Sequence, residues 1–170
     1  MALTVRDATA NDAIGVARVH IRAWQAAYRG LLPDEHLDGL REEERASRYS
    51  LGATGSEIPE TILAVYDGAI RGFASIGPSR DVDLPDAGEL CALYIDPPHW
   101  REGIGSLLVT HGYERLRARG FDEAILWLLV GNDGAERFYR ADGWTPDGSS
   151  RHEDVWGVES HVIRFRRTLC

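Results

Sequence analysis

At 170 residues, with 44% apolar and 27% charged side chains, the chain has the size and balance of one globular domain, residues 1–170, and none of the bias of a disordered tail, a collagen repeat or a disulfide scaffold. A formal net charge of -8 argues against a nucleic-acid backbone as partner, because such domains carry a basic face, and it favours approach of a cationic partner such as an amine or a basic protein terminus. Arg164, Arg166 and Arg167 form the notable basic group and read as a solvated strand end. Cys91 and Cys170 make neither a disulfide framework nor a metal-ligand spacing, the histidines are scattered, and no stretch approaches the roughly 18 apolar residues of a membrane span. A reduced, cytoplasmic setting without membrane or metal is expected.

In chain order, Leu3 to Arg6 reads as a short strand. Thr9 or Asn11 then caps a helix whose apolar positions Ile14, Ala17, Ile21, Trp24 and Tyr28 recur at helical spacing, ending near Gly30. Pro33, Asp34 and Glu35 suit a first helical turn, and another helix runs from Glu42 to Tyr49. After a Gly/Ser/Thr-rich loop, Thr61 to Tyr66 is a strand, Asp67-Gly68 a hairpin turn and Ile70 to Ile76 the return strand. Ser79 to Ala87, with Asp81, Asp83 and Asp86, is an exposed acidic loop. Glu89 to Ile95 is a strand, Gly105 to Arg119 a helix stopped by Gly120, Glu123 to Val130 a buried strand, Gly134 to Asp142 a short helix, and Trp144 onward a final hairpin ending in His161 to Thr168. This order predicts an α/β fold: a single-domain, mixed, mostly antiparallel twisted sheet with helices on both faces and a β-α-β-α centre. The loop after Ile95 falls at the carboxyl edge of the sheet, where ligands commonly bind.

Two segments carry chemistry. In Tyr94-Ile-Asp-Pro-Pro-His-Trp-Arg-Glu-Gly-Ile-Gly-Ser, a strand leads through a turn into a helix with glycines two apart. Glycine lets successive N–H groups face inward, and the helix start adds partial positive charge suited to a diphosphate. A dinucleotide fingerprint is disfavoured by its missing third glycine, and no Walker loop exists. The second segment, Asn132-Asp-Gly-Ala-Glu-Arg-Phe-Tyr, places Tyr139 on a short helix, where a phenol can give a proton to a thiolate leaving group, and Asn132 beside an amide-rich cofactor arm.

In this order the two segments resemble the GNAT superfamily of N-acetyltransferases over about Glu89 to Trp144. The family's loop, Gln or Arg, any two, Gly, any one, Gly or Ala, stands here as Trp100-Arg-Glu-Gly-Ile-Gly, departing at Trp100. The resemblance implies acetyl-CoA as co-substrate and a cofactor-binding set of Tyr94, Ile95, Arg101, Glu102, Gly103, Ile104, Gly105, Ser106 and Asn132, with Tyr139 as general acid. It also implies that the first helices wall the acceptor pocket. Trp24 and Tyr28 then either bind the acceptor or form the helix's apolar stripe.

The reaction so implied is attack of a small-molecule amine or protein amino group on the thioester, which needs a base. Glu89 is the candidate, since strand alternation puts Glu89, Cys91 and Leu93 on one face in apolar company; the other reading makes Glu89 an exposed edge residue. His20 and His99 are weaker alternatives, and Cys91 reads as a buried hydrophobe. A non-catalytic acetyl-CoA sensor is the alternative function. His161 to Arg167, as an exposed edge strand, would allow a homodimer.

Overall fold

Short β-branched runs separated by turn residues build one sheet in the computed structural model, which describes residues 2–169. Its strands are β1 (Thr4–Asp7), β2 (Glu60–Tyr66), β3 (Ala69–Pro78), β4 (Gly88–Ile95), β5 (Glu123–Leu129), β6 (Thr145–Val155) and β7 (Val158–Thr168), in the order β1-β2-β3-β4-β5-β7-β6. The β4–β5 pair is parallel and the other pairs antiparallel. Asp67 and Gly68, at φ 53° and 72°, make the left-handed two-residue turn expected between β2 and β3.

Helices α1 (Ala13–Ala27), α2 (Asp34–Asp38), α3 (Glu42–Ala46), α4 (Ile104–Ala118) and α5 (Asp133–Ala141) cover both faces. The period-two alternation of β2 sorts them: Leu63 packs with Val16 and Val19 of α1, while Ile62 and Ala64 pack with Leu108 and Leu116 of α4. Thr9 begins the first helical segment as expected, its backbone N–H donating to Asp12 at 2.8 Å. Ile14 departs from the expected apolar stripe and is exposed, because the buried face of α1 runs through Val16, Val19, His20, Ala23 and Trp24. α3 ends at Ala46, short of Tyr49.

Three expectations are corrected by long-range contacts. The loop before β4 is not wholly exposed, since Asp81 turns inward and accepts hydrogen bonds from Arg164 (2.9 Å), Trp127 (3.0 Å) and Arg151 (3.2 Å). Arg164 is likewise no solvated strand end: it is 5% exposed and also pairs with Asp83 and Asp147. β7 lies between β5 and β6, so His161 to Arg167 offers no free edge and the expected route to a homodimer is removed. Cys170 lies outside the described residues. Among those residues no helix is long and apolar enough to cross a membrane.

Candidate active site

The site begins where two parallel strands part. β4 and β5 pair only through Gly88–Ala124 and Glu89–Ile125, after which they diverge. The cause is legible in the neighbouring pair. Against β3, Ser75 faces Ala92 and Ile76 faces Leu90, so Cys91 is an extra residue that bulges and bends β4. The bulge also shifts the alternation: Leu90, Leu93 and Ile95 pack towards α4, whereas Ala92 and Tyr94 pack towards α1. The expected common face of Glu89, Cys91 and Leu93 is thereby broken.

A groove of about 700 Å³ fills the parting. It runs from α1 past Tyr94 and Ile95 to the loop before α4 and the start of α5. Gly103 caps the 15-residue helix α4 at φ 85°, the left-handed conformation that glycine adopts without strain. Gly105 is small for another reason, because a Cβ there would lie 3.3 Å from the Phe138 ring of α5. One glycine therefore sets the turn and the other lets two helix starts approach each other. Their N–H groups, with Arg101 and Arg137 on the groove wall and without a carboxylate partner among the described residues, form a site suited to a diphosphate.

Trp100 makes its own contact. Its indole N–H donates to the Ile95 carbonyl at 2.7 Å, pinning the loop to the end of β4 and occupying the acceptor that Ile95 would offer a cofactor arm. Ser106 lines the groove, as do Ile104 and Gly105, but Glu102 does not. The Glu102 carboxylate turns away to His99 Nδ1, 3.0 Å distant, and faces a smaller neighbouring cavity, so only its backbone remains available to the phosphate loop.

Asn132 and Tyr139 close the other wall. Asn132 Oδ1 accepts from the Ala135 N–H at 3.4 Å, capping α5, which gives asparagine three residues before alanine a structural role. Tyr139 is buried yet lines the groove. Burial, then the neighbouring Tyr94, raises its pKa far above that of a free phenol, so it stays protonated at neutral pH.

A model of the acetyltransferase (GNAT) family matches residues 21–144. The chain belongs to that family. It is 30% identical over 141 residues to YuaI, an uncharacterized N-acetyltransferase of Bacillus subtilis, across 82% of this chain and 78% of that one. It is also 28% identical over 152 residues to phosphinothricin N-acetyltransferase of Streptomyces viridochromogenes, across 86% and 76% of the two chains. PaiA N-acetyltransferase of Thermoplasma acidophilum, solved in complex with coenzyme A, shares the fold, with a TM-score of 0.71 over 99% of each chain at 18% identity. The protein is an acetyl-CoA-dependent N-acetyltransferase, and the groove fits the cofactor's phosphates and amide arm.

Other expected residues of this acetyltransferase lie outside the groove. Glu89 is 2% exposed, which excludes the exposed-edge reading, but its surroundings are not apolar. One of its oxygens accepts from the Arg80 N–H at 3.1 Å and the other from the Arg80 guanidinium at 2.6 Å. Five residues of strand, on the order of 15 Å, separate it from Tyr94. Trp24 and Tyr28 form a buried cluster with Leu32 and Leu37; neither lines the groove itself, but Tyr28 lies against Tyr94 and Asn132, which do. Burial, followed by Glu89, pushes the Cys91 thiol up to about 12, so it is inert as a nucleophile.

His20 proves more central than its sequence suggested. Its ring stacks on Tyr94 at 4.4 Å and its Nδ1 lies 2.8 Å from the Tyr49 hydroxyl. Burial, then the Arg45 charge, drives its pKa well below 6.5, so the imidazole is neutral at pH 7. Arg137, Phe138 and the small α1 residues Ala23, Ala26 and Ala27 also line the groove without having been singled out. Arg137, five residues after Asn132 on an exposed helical face, carried the one usable signal.

Proposed function

We propose that this acetyltransferase moves the acetyl group to a primary amine by direct attack within a ternary complex. Bound acetyl-CoA supplies the activated acetyl thioester. The observation that supports the reading is Tyr139, a phenol kept protonated by burial on the wall of the groove, which on this reading donates to the departing sulfur. Backbone N–H groups at the parted end of β4 polarise the carbonyl. His20 stacks on Tyr94 but is buried and does not line the groove, and burial disfavours its protonated form, so neither it nor Glu89 reaches a bound amine directly. A covalent route is disfavoured, because the Cys91 thiol is held protonated and does not line the groove. The phosphinothricin N-acetyltransferase relative supports a small-molecule acceptor.

Thiol release from acetyl-CoA across an amine panel tests this. Tyr139→Phe is expected to lower kcat by about 10²–10⁴-fold while calorimetric affinity for acetyl-CoA is kept. Full turnover in that variant removes the acid role. Tight acetyl-CoA binding with no amine-dependent thiol release in the wild type makes the protein a sensor instead.

A further inference from the structure

The loop between β4 and α4 has open space on both sides. His99 and Ile104 line the groove and also a second cavity, of about 340 Å³, whose wall includes Leu3, Tyr66 and Arg71. The loop's backbone is strained as well, since Arg101 sits at φ 66°, in the left-handed region that a side chain with a Cβ disfavours. A strained segment keeps such a conformation only where its surroundings fix it. With a cavity on either side, that hold has to come from the ends of the loop.

One anchor is the Trp100 indole on the Ile95 carbonyl. The other is Asp96, a carboxylate only 3% exposed. Its backbone N–H donates to the Arg71 carbonyl at 2.8 Å and its carbonyl accepts from the His99 N–H at 2.8 Å, so the same residue closes β4 and opens the loop. Its side chain lies between two arginines. Oδ1 is 3.1 Å from Arg22 Nε on α1, and Oδ2 is 3.8 Å from Arg71 Nη1 on β3. Oδ1 nevertheless accepts no aligned hydrogen bond among the described residues, and the Arg71 contact is too long for one. The hold is therefore one of charge, which burial strengthens. Through it a single carboxylate ties the loop to α1 and to the sheet.

We propose that Asp96 is a positioning residue for acetyl-CoA: held between Arg22 and Arg71, it fixes the loop so that the N–H groups at the start of α4 meet the diphosphate. Asp96 does not line the groove and acts only through the loop. The inference rests on the placing of the diphosphate at that loop. Asparagine at this position keeps the shape of the side chain and loses its charge, which frees the loop to shift towards either cavity. The N–H groups then leave their aim, and the loss falls on the phosphates rather than on the amide arm of the cofactor.

Calorimetry on the full chain tests this with coenzyme A and, by displacement, with pantetheine, which lacks the diphosphate and the nucleoside. Asp96→Asn is expected to weaken coenzyme A binding about tenfold or more and pantetheine binding less than about threefold. Arg22→Gln, at a half-exposed side chain outside the groove, should weaken coenzyme A about threefold. The double variant should bind no more weakly than Asp96→Asn alone, because both changes remove one contact. Arg18→Gln, whose partner is Glu42, should change neither ligand. If Asp96→Asn does not fold, Arg22→Gln and Arg71→Gln carry the test from the other side of the pair, with coenzyme A weakened and pantetheine spared. Equal losses for the two ligands mark a merely structural role and overturn the proposal, as does unchanged coenzyme A affinity or strict additivity in the double variant. If the wild type binds pantetheine as tightly as coenzyme A, the diphosphate reading of the loop itself fails, and Asp96 has nothing to position.

Discussion

Replacing Gly103 by alanine separates the conformational role of the turn from its role towards ligand. Gly103 sits at φ 85° and a Cβ built on it meets no protein atom within 4 Å, so the folded protein bears only the left-handed strain of an L-residue, about 1–2 kcal/mol. For a chain of this length that strain lowers Tm by about 2–8 °C. Gly68, at φ 72° in the β2–β3 turn and equally free of protein neighbours, is a matched control, because Gly68→Ala adds the same kind of strain outside the groove. Gly103 lines the groove, so its new methyl group points into space the cofactor's phosphates need and turns N–H groups off target. Loss of about 1.4 kcal/mol of contact weakens binding tenfold. Calorimetry with coenzyme A is therefore expected to show at least a tenfold weaker Kd for Gly103→Ala and no change for Gly68→Ala, with similar Tm losses in both. If the two variants bind coenzyme A equally well, the N–H cradle at Gly103 is not what holds the phosphates.

Three further outcomes follow from particular contacts. Arg164→Met takes the buried guanidinium from Asp81, which keeps Arg151 and Trp127, and should destabilise the fold by about 1–3 kcal/mol in chemical denaturation. The pKa of His20 is lower folded than unfolded, so as pH falls through about 6.5 the unfolded chain takes up the proton first and stability declines. The denaturation midpoint should therefore drop between about pH 7 and 5, and His20→Gln should flatten that dependence. Trp100→Phe keeps an aromatic ring but loses the N–H donor to the Ile95 carbonyl; a stability loss of about 1 kcal/mol with several-fold weaker acetyl-CoA binding is expected from calorimetry and melting.

Local chemistry was legible in the sequence, and non-local pairing was not. Asp67-Gly68, Gly120 and the Gly103-Ile104-Gly105 turn announce themselves because each answers a backbone need within a few residues. The order of strands and helices gave the layered sheet for the same reason. The Cys91 bulge, by contrast, exists only relative to the β3 register, and reading β4 as uninterrupted alternation misplaced the face of Glu89. Asp81 looked solvated because its partner Arg164 is 83 residues away, and β7 looked like an edge because β6 folds back to cover it. The cluster around His20 was hidden similarly: α1, α3 and the Trp156 turn meet there, and no periodicity links those three segments.

The slender join between β4 and β5 bears on the mechanics of the molecule. With only Gly88–Ala124 and Glu89–Ile125 paired, the sheet behaves as two leaves hinged along a short spine, and the Asp81–Arg164 contact works as a clasp from the β3–β4 loop to the second leaf. A ligand seated in the parting touches both leaves and would fasten the side the clasp does not reach. Amide exchange at Leu93 to Ile95 and at Leu128 to Leu129 should therefore slow on coenzyme A binding, while exchange at Ile62 to Ala64, deep within the first leaf, stays as it was.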